Sequence, residues 1–361
     1  MKMGTVVFAL AVMTSTTAFV PQLTSRRTSS VFTAMATPTE LPDSLDDAAV
    51  RAARASTAFS EASGPVARCR VDFDTSVGDE TFTILKTSTE FMQKYVSALC
   101  YAMVPGAQEQ RNDEIMALTQ ARADLQELRR KDSDENSDKV DNSAMMQQLQ
   151  EVIARGGRPA DWKWQGPTAR VYFPDEGNAA LARRDWNAPD DPKVPSCVQF
   201  ASCGGVQRQD ISNDCLVFFF CPRAAESEQV EAILQRVETE AADNLKLTIF
   251  VNPNLVDMGV TGFGMAGRLL RERLIEPLTY TYTLRTLQWG ALTREWPAAY
   301  TVWQEDENES SGYRLIRMLD RLPSNPDVEE IYEMENGGQK DKQGGGVLNA
   351  LGDFVNGMMS L

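Results

Sequence analysis

Ala169-Arg170-Val171-Tyr172-Phe173-Pro174-Asp175-Glu176-Gly177-Asn178 runs straight into Ala179-Ala180-Leu181-Ala182-Arg183-Arg184-Asp185-Trp186, and this passage decides the fold. Ala169 to Phe173 is a short run rich in β-branched and aromatic residues, which predicts a strand. Pro174 to Asn178 is turn chemistry that caps a helix over Ala179 to Trp186. A strand feeding a helix through so short a turn is the unit of α/β folds. The alternation recurs on either side. Val198 to Ala201 and Leu216 to Phe220 read as strands. Glu226 to Ala242 reads as an amphipathic helix with Val230, Ile233, Leu234 and Val237 inward. Lys246 to Val251 is a buried strand, and Gly264 to Glu276 a helix. Upstream, Leu45 to Phe59 carries a stripe of Leu45, Ala48, Ala49, Ala52, Ala53 and Phe59 behind a cap at Asp43 or Ser44. Val66 to Phe73 alternates like a strand, and Phe82 to Met103 is a long helix with Leu85, Phe91, Met92, Tyr95, Val96 and Leu99 inward. Downstream, Tyr280 to Trp289, Tyr300 to Gln304 and Tyr313 to Asp320 read as strands, followed by a short helix over Asp327 to Met334. The expected fold is α/β: a single mixed sheet with helices on its faces, ending in an antiparallel meander.

Two segments stand apart from that core. Gln108 to Arg130 is densely charged, Lys131 to Asn142 (KDSDENSDKVDN) is too polar to pack and is expected to be disordered, and Met145 to Ile153 resumes as a helix. Residues 108–158 therefore read as a charged helical arm inserted into one domain spanning 41–335. Residues 337–361 read as a glycine linker and an amphipathic tail, with Val347, Leu351, Phe354, Val355 and Met358 on one stripe. Such a helix docks in a partner's groove, where Phe354 and Met358 would sit, or folds back on its own core. The N-terminus carries an address. Its first acidic residue is Glu40. Lys2 precedes an apolar run from Val6 to Val12, small residues end at Thr16-Thr17-Ala18, and a Ser/Thr/Arg-rich stretch follows from Phe19. Over residues 1–36 this resembles the two-part leader of plastid proteins in algae with complex plastids, which implies the plastid stroma.

Composition narrows the chemistry. A formal net charge of -15 repels phosphate backbones, so no nucleic-acid partner is expected. The chain has no histidine, which removes Ser-His and Cys-His nucleophile pairs, imidazole acid–base catalysis and imidazole ligation of metal, haem or chlorophyll. No apolar run beyond the leader approaches the ~20 residues that span a bilayer. The expectation is a non-enzyme with no catalytic residues, no metal and no cofactor.

Four motifs carry sharper readings. Gly262-Phe263-Gly264-Met265-Ala266-Gly267, with Arg268, matches a phosphate-loop pattern between a strand and a helix. About ten residues separate it from the strand end at Val251, and no acidic residue ends the next strand, so close helix–sheet packing accounts for the glycines equally. Cys197, Cys203, Cys215 and Cys221 are symmetric about Gln209. A hairpin there would place all four on one face and pair Cys197 with Cys221 and Cys203 with Cys215, either as redox-sensitive pairs or as small buried residues. Arg183-Arg184-Asp185-Trp186 closes its helix with cations that suit the dipole, or forms with Asp175 a recognition patch. The loop from Trp289 to Trp296 is a further contact candidate.

Leu41-Pro42-Asp43-Ser44-Leu45, Val171-Tyr172-Phe173-Pro174-Asp175, Ala180 to Trp186, Val251-Asn252-Pro253, Leu287-Gln288-Trp289-Gly290-Ala291-Leu292 and Val302-Trp303 together resemble the domain of unknown function in the low-photosystem-II-accumulation assembly factors of plastids and cyanobacteria. The resemblance covers about 41–335. It implies a stromal protein, loosely thylakoid-associated, that helps install a chlorophyll-binding core subunit of photosystem II. Its partners would be assembly intermediates or insertase proteins. The family supplies no catalytic residues to carry over. The rival reading is a nucleotide- or phosphate-binding enzyme or regulator built on the Gly262 loop.

Overall fold

The structure is a computed structural model that describes residues 40–64, 66–74, 82–133, 142–160, 163–188, 191–205, 209–255 and 265–337. The expected leader and the tail beyond residue 337 lie outside the described residues.

The deciding passage forms the expected unit. Strand β2 (Thr168–Phe173) leads into helix α5 (Glu176–Asp185). The helix starts three residues earlier than expected because Asp175 is its cap. Asp175 Oδ1 accepts from the Asn178 N–H at 2.9 Å, satisfying one of the free donors of the first turn. Ahead of this unit lie α1 (Leu45–Ser63), β1 (Ala67–Asp74), α2 (Phe82–Met103), α3 (Ala107–Ser133) and α4 (Ser143–Ala154). Ser44 caps α1 by accepting from Asp47 N–H at 3.1 Å. After the unit come β3 (Val198–Ser202), β4 (Asp214–Phe220), α6 (Ser227–Glu240), β5 (Leu247–Val251), α7 (Met265–Leu274), β6 (Thr279–Leu287), β7 (Gly290–Glu295), β8 (Tyr300–Glu305), β9 (Tyr313–Leu319) and α8 (Asn325–Glu335).

All nine strands form one mixed sheet in the order β3-β2-β4-β5-β1-β6-β7-β8-β9. The six strands from β3 to β6 are parallel, and β6 to β9 form the antiparallel meander. Three expectations change. Strands β3 and β4 are not a hairpin: both run parallel to β2 on opposite sides of it, with Ala169 opposite Val198 and Leu216. The meander also has one more strand than expected. Gly290–Glu295 pairs with both neighbours, and Gly290 is required because a Cβ there would overlap the carbonyl of Trp303. Lys131 to Ser133 continue helix α3 rather than breaking from it; residues 134–141 lie outside the described residues.

The sheet buries both faces. On one face, α1, α2 and α5 cover a core that includes Ala52, Phe91, Tyr95, Val71, Phe218 and Tyr282. Phe91 stacks on Phe73 at 4.1 Å. On the other face, α6 and α7 cover Tyr172, Phe219 and Phe250, which stack in a row at 5.2 and 4.8 Å. Helix α8 covers the meander over Trp289, Leu292, Tyr300 and Val302 on that second face. A bulge makes this division work. Arg70 lies opposite Tyr280 but Val71 lies opposite Tyr282, so Tyr280 and Tyr282 point to opposite faces despite their even spacing.

Candidate docking surface

The arm is an αα-hairpin whose seam follows from α3. Glu114, Leu118, Ala121, Leu125 and Leu128 recur at alternating spacings of four and three, and Glu114, Ala121 and Leu125 are buried. Helix α4 lies alongside and buries none of its residues. Its apolar stripe of Met146, Leu149, Val152 and Ile153 stays half-buried. Nearby, Met116 is 63 % exposed, Met145 56 % and Val50 55 %. An amphipathic helix that leaves its apolar stripe in reach of water marks an interaction surface.

The arm is anchored by a charge. Glu114 is 4 % exposed and accepts from Arg158 Nε at 2.9 Å, with Arg111 at 3.9 Å and Gln110 Nε2 at 3.2 Å. Arg158 Nη2 also donates to the Val194 carbonyl at 3.0 Å, which ties the arm to the loop before β3. Between the arm and the outer faces of α1 and α2 lies a groove of about 530 Å³, walled by Val50, Ala98, Tyr101, Leu118 and Ile153 and edged by Arg111 and Arg122. Two other edge cations are neutralised locally, Lys94 by Asp46 at 2.6 Å and Lys193 by Asp191 at 2.5 Å. Burial pushes the Tyr101 hydroxyl pKa up, as expected for a ring half-covered by the arm.

The carboxyl ends of the parallel strands form a second place of interest. The chain leaves β2 toward α5 on one face and leaves the neighbouring β4 toward α6 on the other, which opens a crevice at the strand ends. Asp175 stands there exposed. Arg223 pairs with Glu226 at 2.9 Å, and Ser202 Oγ donates to Glu176 at 2.7 Å. Two side-chain-bearing residues take left-handed backbones at adjacent strand ends, Cys221 with φ 50° and Asn252 with φ 46°. Asn252 is held by its own amide: Oδ1 accepts from Phe73 N–H at 2.7 Å and Nδ2 donates to Phe73 O at 2.8 Å. This explains the Val251-Asn252-Pro253 block as a clasp between β5 and β1.

The other candidates separate cleanly. Arg183, Arg184 and Asp185 are exposed; Arg184 pairs with Asp185 at 2.6 Å, and Arg183 donates to the Phe200 carbonyl at 3.2 Å. Trp186 is not part of a recognition patch. It is 3 % exposed and packs edge-on against Phe173 and Phe200. Trp289 is likewise core: it stacks on Tyr332 at 4.3 Å, and its indole N–H donates to Glu329 at 3.2 Å. The segment Trp289 to Trp296 is mostly strand β7, not a contact loop.

The cysteine symmetry dissolves with the hairpin. Cys197 and Cys215 lie in the core under α2, whereas Cys203 lies on the opposite face of the sheet. The thiol that Cys197 meets is Cys100 of α2, whose pKa burial drives well up. Burial also pushes Cys203, Cys215 and Cys221 up to about 12, far from a reactive thiolate. Gly262, Gly264, Phe354 and Met358 lie outside the described residues. Gly267 is buried in α7, and Arg268 pairs with Glu272 at 2.9 Å. Among the described residues, no group of three His, Cys, Asp or Glu side chains could hold a metal ion, and no helix is long and apolar enough to cross a membrane.

Sequence reading missed the groove's anchor. Glu114 and Arg158 are 44 residues apart, and only Glu114's place on the apolar seam of α3 marked it. It also passed over the charges of β1, where Arg70 and Asp72 break the apolar rule for a central parallel strand.

The profile of the family described as Domain of unknown function (DUF1995) matches residues 42–333, arm included. No curated protein and no solved structure matches the chain.

Proposed function

The chain belongs to the DUF1995 family, and we propose that it is a non-catalytic factor for the assembly or repair of photosystem II, working in the plastid stroma and peripherally on the thylakoid. It acts by protein contact, holding a segment of a chlorophyll-binding core subunit, or of its insertase, in the groove beneath the arm. The observation that carries protein contact is α4, an amphipathic helix that buries none of its residues and stands over a groove with an apolar wall. Filling the groove with three or four partner side chains would contribute ~1.5–3 kcal/mol for each one fully buried. Arg111 and Arg122 at the groove's edge favour a segment with acidic flanks. The photosystem assignment and the location rest on the resemblance of the blocks from Leu41 to Trp303 and on the acid-free leader.

The test is affinity capture from solubilised thylakoids with the full chain and with a Leu118→Asp/Ile153→Asp variant, both residues on the groove wall. Both substituted positions are only half-buried, so the fold is expected to persist. Wild type should recover a photosystem II core subunit, and the variant should lose it at least tenfold. Equal recovery by both would place the contact elsewhere. Failure of the wild type to recover any photosystem II subunit would overturn the assignment.

A further inference from the structure

A second cavity of about 530 Å³ opens at the amino end of β1, where α1 hands the chain to the sheet. Helix α6 and the end of α7 complete its walls. Its floor is Phe59 and Leu234, which are 8 % and 2 % exposed and belong to the cores on opposite faces of the sheet. Its mouth is lined by Ser63, Val66, Gln235, Arg273 and Pro277, all of them exposed. A molecule in solution therefore reaches the apolar floor directly. The volume suits a small molecule, whose sites run from roughly 300 to 1,000 Å³.

The mouth holds a strained residue. Gly64 closes α1 with φ 78°, and Val66 takes a left-handed backbone again, with φ 66°. Glycine adopts that conformation freely, but for a β-branched side chain it is a costly exception. The turn into β1 asks only for the backbone, which glycine or asparagine would supply with less strain. Valine adds a branched apolar side chain, 40 % exposed, at the lip of the cavity. Strained residues of this kind cluster at ligand sites. The cations of the cavity are already paired. Arg68 Nε donates to Glu238 at 2.7 Å and its Nη1 to the Arg273 carbonyl at 2.9 Å. Arg273 Nη2 donates to Glu231 at 3.1 Å. An ion entering here would leave water without a free opposite charge to meet it.

We infer that this cavity is a binding site for a neutral small molecule with an apolar ring or branched body and one polar end. Phe59, Leu234, Val66 and Pro277 take the body, and the Ser63 hydroxyl and Gln235 amide at the mouth meet the polar end. Phe59 is braced for that contact by Trp296, which packs edge-on against it at 5.7 Å. The inference is independent of the groove beneath the arm.

The experiment titrates the full chain with the neutral dye N-phenylnaphthylamine, whose fluorescence rises in apolar surroundings. A parallel titration uses anilinonaphthalene sulfonate, which adds an anionic group to a similar ring system. A saturable rise is expected with the neutral dye, at least as tight as with the sulfonate. Val66→Asn should weaken the neutral dye about tenfold by removing one apolar contact. The melting temperature of the free variant should stay or rise, because asparagine tolerates the left-handed backbone. Gln235→Trp, at an exposed helix position, should fill the mouth and abolish binding. Leu118→Asp/Ile153→Asp alters only the groove beneath the arm and should leave the binding unchanged. If Val66→Asn does not fold, Gln235→Trp decides the matter. No saturable binding of the neutral dye, tighter binding of the sulfonate, binding that survives Gln235→Trp, or binding lost in Leu118→Asp/Ile153→Asp would overturn the inference. A fall in the melting temperature of Val66→Asn would show that the valine is structural and would overturn it equally.

Discussion

Replacing Arg158 by methionine tests whether the arm is a separately anchored element. The substitution keeps the aliphatic stem and removes the guanidinium, so Glu114 loses a bond of 2.9 Å and the Val194 carbonyl loses one of 3.0 Å. A hydrogen bond to a charged group contributes ~1.5–3 kcal/mol. Abandoning a buried charge altogether costs ~3–5 kcal/mol. Glu114 is not abandoned, since Gln110 still donates at 3.2 Å and Arg111 remains at 3.9 Å, so the lower figure applies. About 2 kcal/mol of anchoring would be lost, and the arm should then open about 30-fold more often, at ~1.4 kcal/mol per tenfold. Helix α4 buries nothing in the core, so the opening should stay local. Hydrogen exchange followed by mass spectrometry reads this directly: peptides from α3 and α4 should exchange about 30-fold faster while those from β4 and β5 keep their protection. The double variant Glu114→Gln/Arg158→Met, with a neutral pair, should recover most of the loss. Unchanged exchange in the arm would refute the anchoring argument, and equal loss in β4 and β5 would show that the arm is continuous with the core.

Two further outcomes follow from burial and charge. With thiols at about 12, Cys203, Cys215 and Cys221 should react with iodoacetamide at pH 8 at least about a hundredfold more slowly than in the urea-unfolded chain, and oxidised glutathione should leave the mass of the folded protein unchanged. Arg170→Met strands Asp214, which is fully buried and keeps, among the described residues, only the bond from Thr168 at 2.5 Å; it should cost ~3–5 kcal/mol at pH 7.5. Burial already holds the Asp214 carboxyl above the usual carboxylate range, and losing Arg170 raises it further. The folded variant therefore keeps a proton that the unfolded chain releases, so its deficit should shrink as pH falls from 7.5 toward the ordinary carboxylate value. A deficit in melting temperature that is the same at pH 7.5 and pH 5 would contradict this.

What the sequence revealed depended on how locally each feature was determined. Helix α2 was legible to the residue because its stripe is strong, with Phe91, Met92, Tyr95, Val96 and Leu99 all at zero exposure; the side chain of Leu85, also expected inward, lies outside the described residues. Strand β7 was not, because Gly290-Ala291-Leu292-Thr293 has no alternation of its own; its place comes from Trp303, which approaches Gly290 from 13 residues away. The cysteine hairpin failed for a related reason. Spacing about Gln209 constrains a turn, but whether β3 and β4 pair is decided by β2, which inserts between them. The groove's anchor shares this dependence on distant partners. Glu114 finds Arg158 only when the arm folds back. Yet β1 held a readable signal. Arg-Val-Asp at Arg70 to Asp72 puts two charges on one face of a strand that the structure places between two parallel neighbours. A central parallel strand keeps charges only where they pair, as Arg70 does with Asp72 at 2.8 Å.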